Sequence, residues 1–221
     1  MAKELVAILK PFEVATSFFS YEENTTISVI FPVIFSLVEG LKVSREDSAN
    51  LKHFKSTIRA ELTRRWLLDS LDVCSSPVLA AAVDPRFKHQ KFLKSEQIAT
   101  VKAELETRML LGYSYDGRER APDASKKHKS DQTTAFDILL GPDDDSEREL
   151  TAGEELEQYF AERAVSRQTK PLMWWNDNAK RFPRLAAIAQ FKFAMHSSYI
   201  NTIREDILKG WSDCEQVTYQ S

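Results

Sequence analysis

Apolar residues recur at steps of three and four along much of this chain. In SREDSANLKHFKSTIRAELTRRWLLDSLD, Leu51, Phe54, Ile58, Leu62 and Trp66 keep the period of one helix face, which predicts a long amphipathic helix. Ser44 stands as its N-cap, and Asp47 three residues on completes a pair like a capping box. Upstream, Leu5, Ile8 and Leu9 predict a short helix that ends near Pro11, because proline lacks a backbone donor and clashes with the preceding turn. Ile27, Ile30, Ile34, Leu37 and Leu41 predict a second helix after Thr25 and Thr26, with Pro32 in its first turn or kinking it. Residues 95–111 set Ile98, Val101, Leu105 and Met109 on one face, again a helix.

Strict alternation, the signature of a half-buried strand, is hard to find, and six glycines argue against a fold rich in hairpins. The expected fold class is all-α: a helical bundle plus a short C-terminal helical region. Between them the periodicity stops. Residues 113–151 are polar, charged and punctuated, with Phe136, Ile138 and Leu139 as the one weak apolar contact, and they predict a disordered acidic linker. The expected division is therefore 1–112, the linker 113–151, a helical region 152–194, and a tail 195–221. No repeat of solenoid period emerges.

The second half holds PLMWWNDNAKRFPRLAAIAQFKFA, residues 171–194. Adjacent helical residues point about 100° apart, so Trp174 and Trp175 cannot share a narrow stripe and each needs its own apolar neighbour. Leu172, Trp175, Phe182, Leu185, Ile188 and Phe191 would make one apolar surface across two short helices broken at Pro183. With Trp174 these are the candidate partner-packing residues. Such a surface either folds onto the first helical block as core or stays exposed and marks a partner site.

Charge narrows the partners. Lysine and arginine number 30 against 33 acids, a net charge of −3, so any nucleic-acid contact must come from a local patch. The candidates are Arg64 and Arg65 at the end of the long helix, and Arg86, Lys88 and Lys91 in VDPRFKHQKF. There an apolar run ends at an Asp-Pro step, and cations alternate with Phe87 and Phe92. The pattern reads as a basic, aromatic patch for a phosphate backbone, or as a turn whose phenylalanines return to the core while the cations stay solvated.

Chemistry is sparse. Cys74 and Cys214 form no CxxC pair, and His53, His89, His128 and His196 show no ligand spacing, so no metal site is expected. The run Asp143–Asp145 lacks the spacing of a calcium loop, and the basic cluster KKHK at 126–129 is a weak nuclear import signal. No nucleophile elbow, Walker loop or dinucleotide fingerprint occurs, so no cofactor and no small-molecule substrate are expected. The first residues lack the apolar core of a signal peptide, and no uncharged apolar run reaches about 18 residues, so no membrane association is expected.

Three ordered strings resemble the C-terminal half of hAT-superfamily transposases and their domesticated relatives, the BED-type zinc finger proteins. LKPFEVATSFFSYEENTTISVIFPVIFSLVEGLK at 9–42 is similar to the start of that family's helical insertion domain. Val83-Asp84-Pro85-Arg86-Phe87-Lys88 resembles its "LDPRFK" element. EELEQYFAERAVSRQTKPLMWWNDNAKRFPRLAAIAQFKFA at 154–194 is similar to the start of its C-terminal dimerisation region, an "ELxxYL", "P…WW", "RFPxLAxxA" progression.

The resemblance implies a protein that dimerises or meets a protein partner in the nucleus, with nucleic acid as the second partner class. It does not carry over the family's chemistry, which uses two aspartates and a glutamate around divalent metal. The aspartates belong to a β-rich segment without a counterpart here, and neither Glu205 nor Glu215 stands in the "SER" context of the glutamate. The BED finger has no counterpart either. The sequence after Ala194 departs from the family, as a decayed domesticated end or an alternative terminal exon would. The expectation is a non-catalytic helical protein, because two-metal phosphoryl transfer needs clustered carboxylates to hold the ions.

Overall fold

The computed structural model describes residues 2–20, 27–112 and 150–194. Among these every regular element is helical: α1 (Ala2–Ser20), α2 (Ile30–Gly40), α3 (Ala49–Arg65), α4 (Ser76–Val83), α5 (Ser95–Leu110), α6 (Ala152–Ala161), α7 (Pro171–Asn178) and α8 (Pro183–Ala194), with 3-10 turns at Ile27–Val29 and Leu68–Ser70. The all-α expectation holds. The linker 113–149 and the tail 195–221 lie outside the described residues.

The arrangement is built around α4. Its sequence, SPVLAAAV, is apolar on every side, and Pro77 through Val83 are all buried, as a helix without a polar face must be. The 3-10 turn at 27–29 and α2 lie against it on one side, and α5 and α8 on the other. Ala80 belongs to a core with Phe12, Phe19, Ile30, Ile34, Ile58 and Leu62, from α1, α2 and α3. Val78, Leu79, Ala82 and Val83 belong to a second core with Val101 and Leu105 of α5, Leu156 and Tyr159 of α6, Trp175 of α7, and Leu185 and Ile188 of α8. Residues on both sides of 113–149 thus bury their apolar faces in one shared core.

Two helix boundaries differ from the sequence expectation. The first helix runs through Pro11 to Ser20, because Phe12, Ala15 and Phe19 extend the apolar stripe beyond the proline and are buried. That packing offsets the roughly 3 kcal/mol that an interior proline costs. The long helix starts at Ala49 rather than after Ser44: Ser48 is its N-cap and accepts from the Leu51 N–H. Ser44 and Asp47 do form a capping turn, the Ser44 N–H donating to Asp47 Oδ2 at 2.7 Å, but it closes the loop before the helix. Pro32 falls at the third residue of α2, where its missing N–H has no intrahelical partner to lose.

Candidate association site around the tryptophan pair

An eight-residue buried helix has an obligation at its C-terminus, where its last four carbonyls lack partners along the helix. Two of these, on Ala82 and Val83, are met by side chains from far along the chain. The Tyr159 hydroxyl donates to the Ala82 carbonyl at 3.3 Å, and the Trp175 indole Nε1 donates to the Val83 carbonyl at 2.9 Å. Both residues are fully buried. Their rings are stacked with centroids 5.4 Å apart, Trp174 stands edge-on to Trp175 at 4.9 Å, and Phe182 closes the group at 5.8 Å from Tyr159. Low dielectric and missing water make these bonds costly to lose.

The turn after α4 completes the site. Asp84 is fully buried and accepts from the Ser28 hydroxyl at 2.6 Å, while the Arg86 guanidinium grips both its oxygens at 2.9 and 2.7 Å. Lys88 is 1% exposed, donates to the Tyr159 carbonyl at 2.6 Å, and lies over the Tyr159 ring at 4.5 Å. Burial pushes its ammonium down to about 8, against the opposing pull of Glu162. Gln90 closes the turn with φ near 40°, a left-handed conformation held by its amide donating to the Val78 carbonyl at 2.9 Å. The Val165 N–H then donates to the Pro85 carbonyl at 3.0 Å, tying the loop after α6 to this turn.

Two more buried charges lock α8. Glu155 accepts from the Leu185 N–H at 2.9 Å and from Arg184 at 3.2 Å, placing a carboxylate on the N-terminus of α8, where the helix dipole favours it. Burial nonetheless pushes its carboxyl above the usual range. At the other end, Lys192 donates to Ser76 Oγ at 2.9 Å, and burial pushes its ammonium down to about 8.

The sequence-derived candidates divide accordingly. Of the proposed partner-packing residues, Trp175, Phe182, Leu185 and Ile188 are buried in this chain's own core, the first of the two alternatives that the sequence left open for them. Trp174 and Phe191 are half-buried, and Leu172 is exposed. Of the proposed phosphate contacts, Arg86 and Lys88 are taken by the turn itself, where Asp84 and the Tyr159 carbonyl hold them, so the solvated reading of those two cations fails. Arg64 and Arg65 both pair with Glu61, and Lys91 is exposed. The sequence reading missed Tyr159, Glu155 and Lys192; a carboxylate and a lysine on otherwise apolar helix faces were the signal for the latter two.

Among the described residues no helix is long and apolar enough to cross a membrane, and no group of three His, Cys, Asp or Glu side chains is placed to hold a metal. Residues 155–204 match the model of the hAT family C-terminal dimerisation region. The described part of that match begins at Glu155 and contains α7, α8 and most of α6, so it carries Tyr159, both tryptophans and Glu155. No curated protein matches the chain.

Proposed function

We propose that this is a non-catalytic, transposase-derived helical protein that acts by protein association, self-association first, in the nucleus. The observation that carries the reading is the match of residues 155–204 to a dimerisation region. The ordered resemblance of residues 9–42 and 83–88 to hAT transposases supports the transposase origin. The non-catalytic reading rests on Glu205 and Glu215, neither of which stands in the family's "SER" context, and the family's setting on DNA supports the nuclear location.

The geometry adds a constraint. Because the aromatic group of the matched region is used to cap and cover α4, the reading assigns association to the outward faces of α6, α7 and α8, with the inner core intact. Sedimentation equilibrium of the whole chain across the micromolar range tests the reading. A mass that climbs from monomer toward dimer with concentration supports it, and a monomer at every concentration up to 200 μM overturns it. A nuclease assay with magnesium or manganese tests the catalytic half, where strand cleavage by the purified chain would be the contrary result. A nucleic-acid role is a separate question, since two of the five cations proposed for it, Arg86 and Lys88, are held by Asp84 and the Tyr159 carbonyl at the α4 turn.

A further inference from the structure

The inward positions of α7 are Pro171, Trp175 and, partly, Trp174 and Asn178; the opposite edge is Leu172, Met173, Asn176 and Asp177, all exposed. Leu172 and Met173 keep 51% and 61% of their surface in solvent, and they are the only large apolar side chains so exposed among the described residues of the matched region. Single exposed apolar residues are ordinary, but two neighbours on a helix already anchored by its other face are a contact surface.

The charges beside them decide the occupant. Lys170 is the N-cap of α7, at the end of the helix where Met173 lies, and Asp177 follows Met173 by four residues, the spacing at which residues share one helix face. Both are exposed. The strip is therefore positive at one end, apolar in the middle and negative at the other. A second copy lying antiparallel, with its two-fold axis through Met173, brings each Lys170 to the Asp177 of the other copy; a parallel copy would set like charges face to face.

We propose that this strip of α7 is a self-complementary contact, pairing two copies antiparallel about Met173. It rests on the self-association reading and names the surface and orientation. The eight-residue helix is about 12 Å long. Its face buries far less than the roughly 1,600 Å² of a standard stable interface, so the contact sets register in a weak dimer.

Charge exchange and cross-linking test it on the whole chain. Lys170→Glu and Asp177→Lys should each weaken dimerisation about tenfold, because each variant loses two pairs and gains two repulsions, while the double variant restores it. With Cys74 and Cys214 replaced by serine, Met173→Cys should form an intermolecular disulfide in air, and Gln158→Cys on α6 should not. A dimer that survives both single charge variants, or that leaves Met173→Cys uncross-linked, overturns the contact and leaves the self-association reading standing. A wild-type chain that stays monomeric overturns both. Lys170, Met173, Asp177 and Gln158 are exposed, and unchanged helicity by circular dichroism verifies folding in each variant.

Discussion

Trp175 donates its indole N–H to the carbonyl of Val83, ninety-two positions earlier, and both residues are fully buried. This bond closes the C-terminus of a helix that has no polar face of its own, so the C-terminal helices are structural partners of α4.

Trp175→Phe should therefore destabilise the protein by about 2–4 kcal/mol, since it opens a cavity and strands a buried carbonyl at once. Trp174→Phe, at a half-buried ring with no indole bond to the α4 carbonyls, should cost less than about 1.5 kcal/mol. Urea unfolding followed by circular dichroism separates the two. Equal losses would mean that the bond to Val83 contributes nothing of its own.

The same pair marks how far the sequence could be read. Helices α3 and α5 were legible because their apolar positions repeat with the helical period, and Trp174 and Trp175 announced that each needed a separate neighbour; α4, apolar on every side, has no such period and read only as an apolar run ending at Asp84-Pro85. The neighbours themselves were not legible. Ser28 and Asp84 are fifty-six positions apart, and Lys88 and Tyr159 seventy-one. Periodicity describes one element at a time and carries no information about such partners. Arg86 and Lys88 looked like a basic patch for that reason: their charges were visible locally, and the groups that bury them were not. Pro11 misled in the opposite direction, a strong local signal overridden by the burial of Phe12 and Phe19.

Lys88 makes the cost of its burial measurable by pH. Its ammonium ionises near 8 in the fold against 10.5 when free, so below pH 8 both states carry the proton and the folded state bears the full penalty of a buried charge. Between 8 and 10.5 the unfolded chain binds more protons, and this residue's contribution to stability rises with pH. Relative to Lys88→Met, the wild type should gain roughly 1–2 kcal/mol between pH 7.5 and pH 9.5. Lys192 shifts in the same direction in both proteins and cancels from the difference. A constant difference across that window would show that the amine is as well solvated as in the open chain.

The connection 113–149 should be dispensable for folding. Helices α5 and α6 lie antiparallel, with Lys102 over the Phe160 ring at 4.7 Å and Gly153 beside Glu106, so the chain leaves and re-enters at the same end of the pair. Replacing residues 113–149 with a glycine-serine linker of about eight residues should leave the thermal midpoint within a few degrees, because loop length enters closure entropy only logarithmically. A loss of cooperative melting would mean that the replaced residues contribute packing.

Glu155 distinguishes a hydrogen-bonding role from an electrostatic one. Its Oε1 accepts the Leu185 N–H, which a glutamine carbonyl reproduces, while its charge is penalised by burial and offset by Arg184 and the N-terminus of α8. Its carboxyl is raised in the fold, so the stability it contributes as a neutral acid is present below the free glutamate value and declines as pH rises through the folded one. Glu155→Gln should accordingly be nearly neutral at pH 7 and should flatten that acid-side dependence. Glu155→Ala leaves the Leu185 N–H buried without an acceptor and should cost about 2–3 kcal/mol at pH 7, and more at acid pH, where the wild-type carboxyl is neutral. If glutamine proved as damaging as alanine when stability is measured by urea titration, the charge on the helix terminus, and not the hydrogen bond, would be what holds α8 against α6.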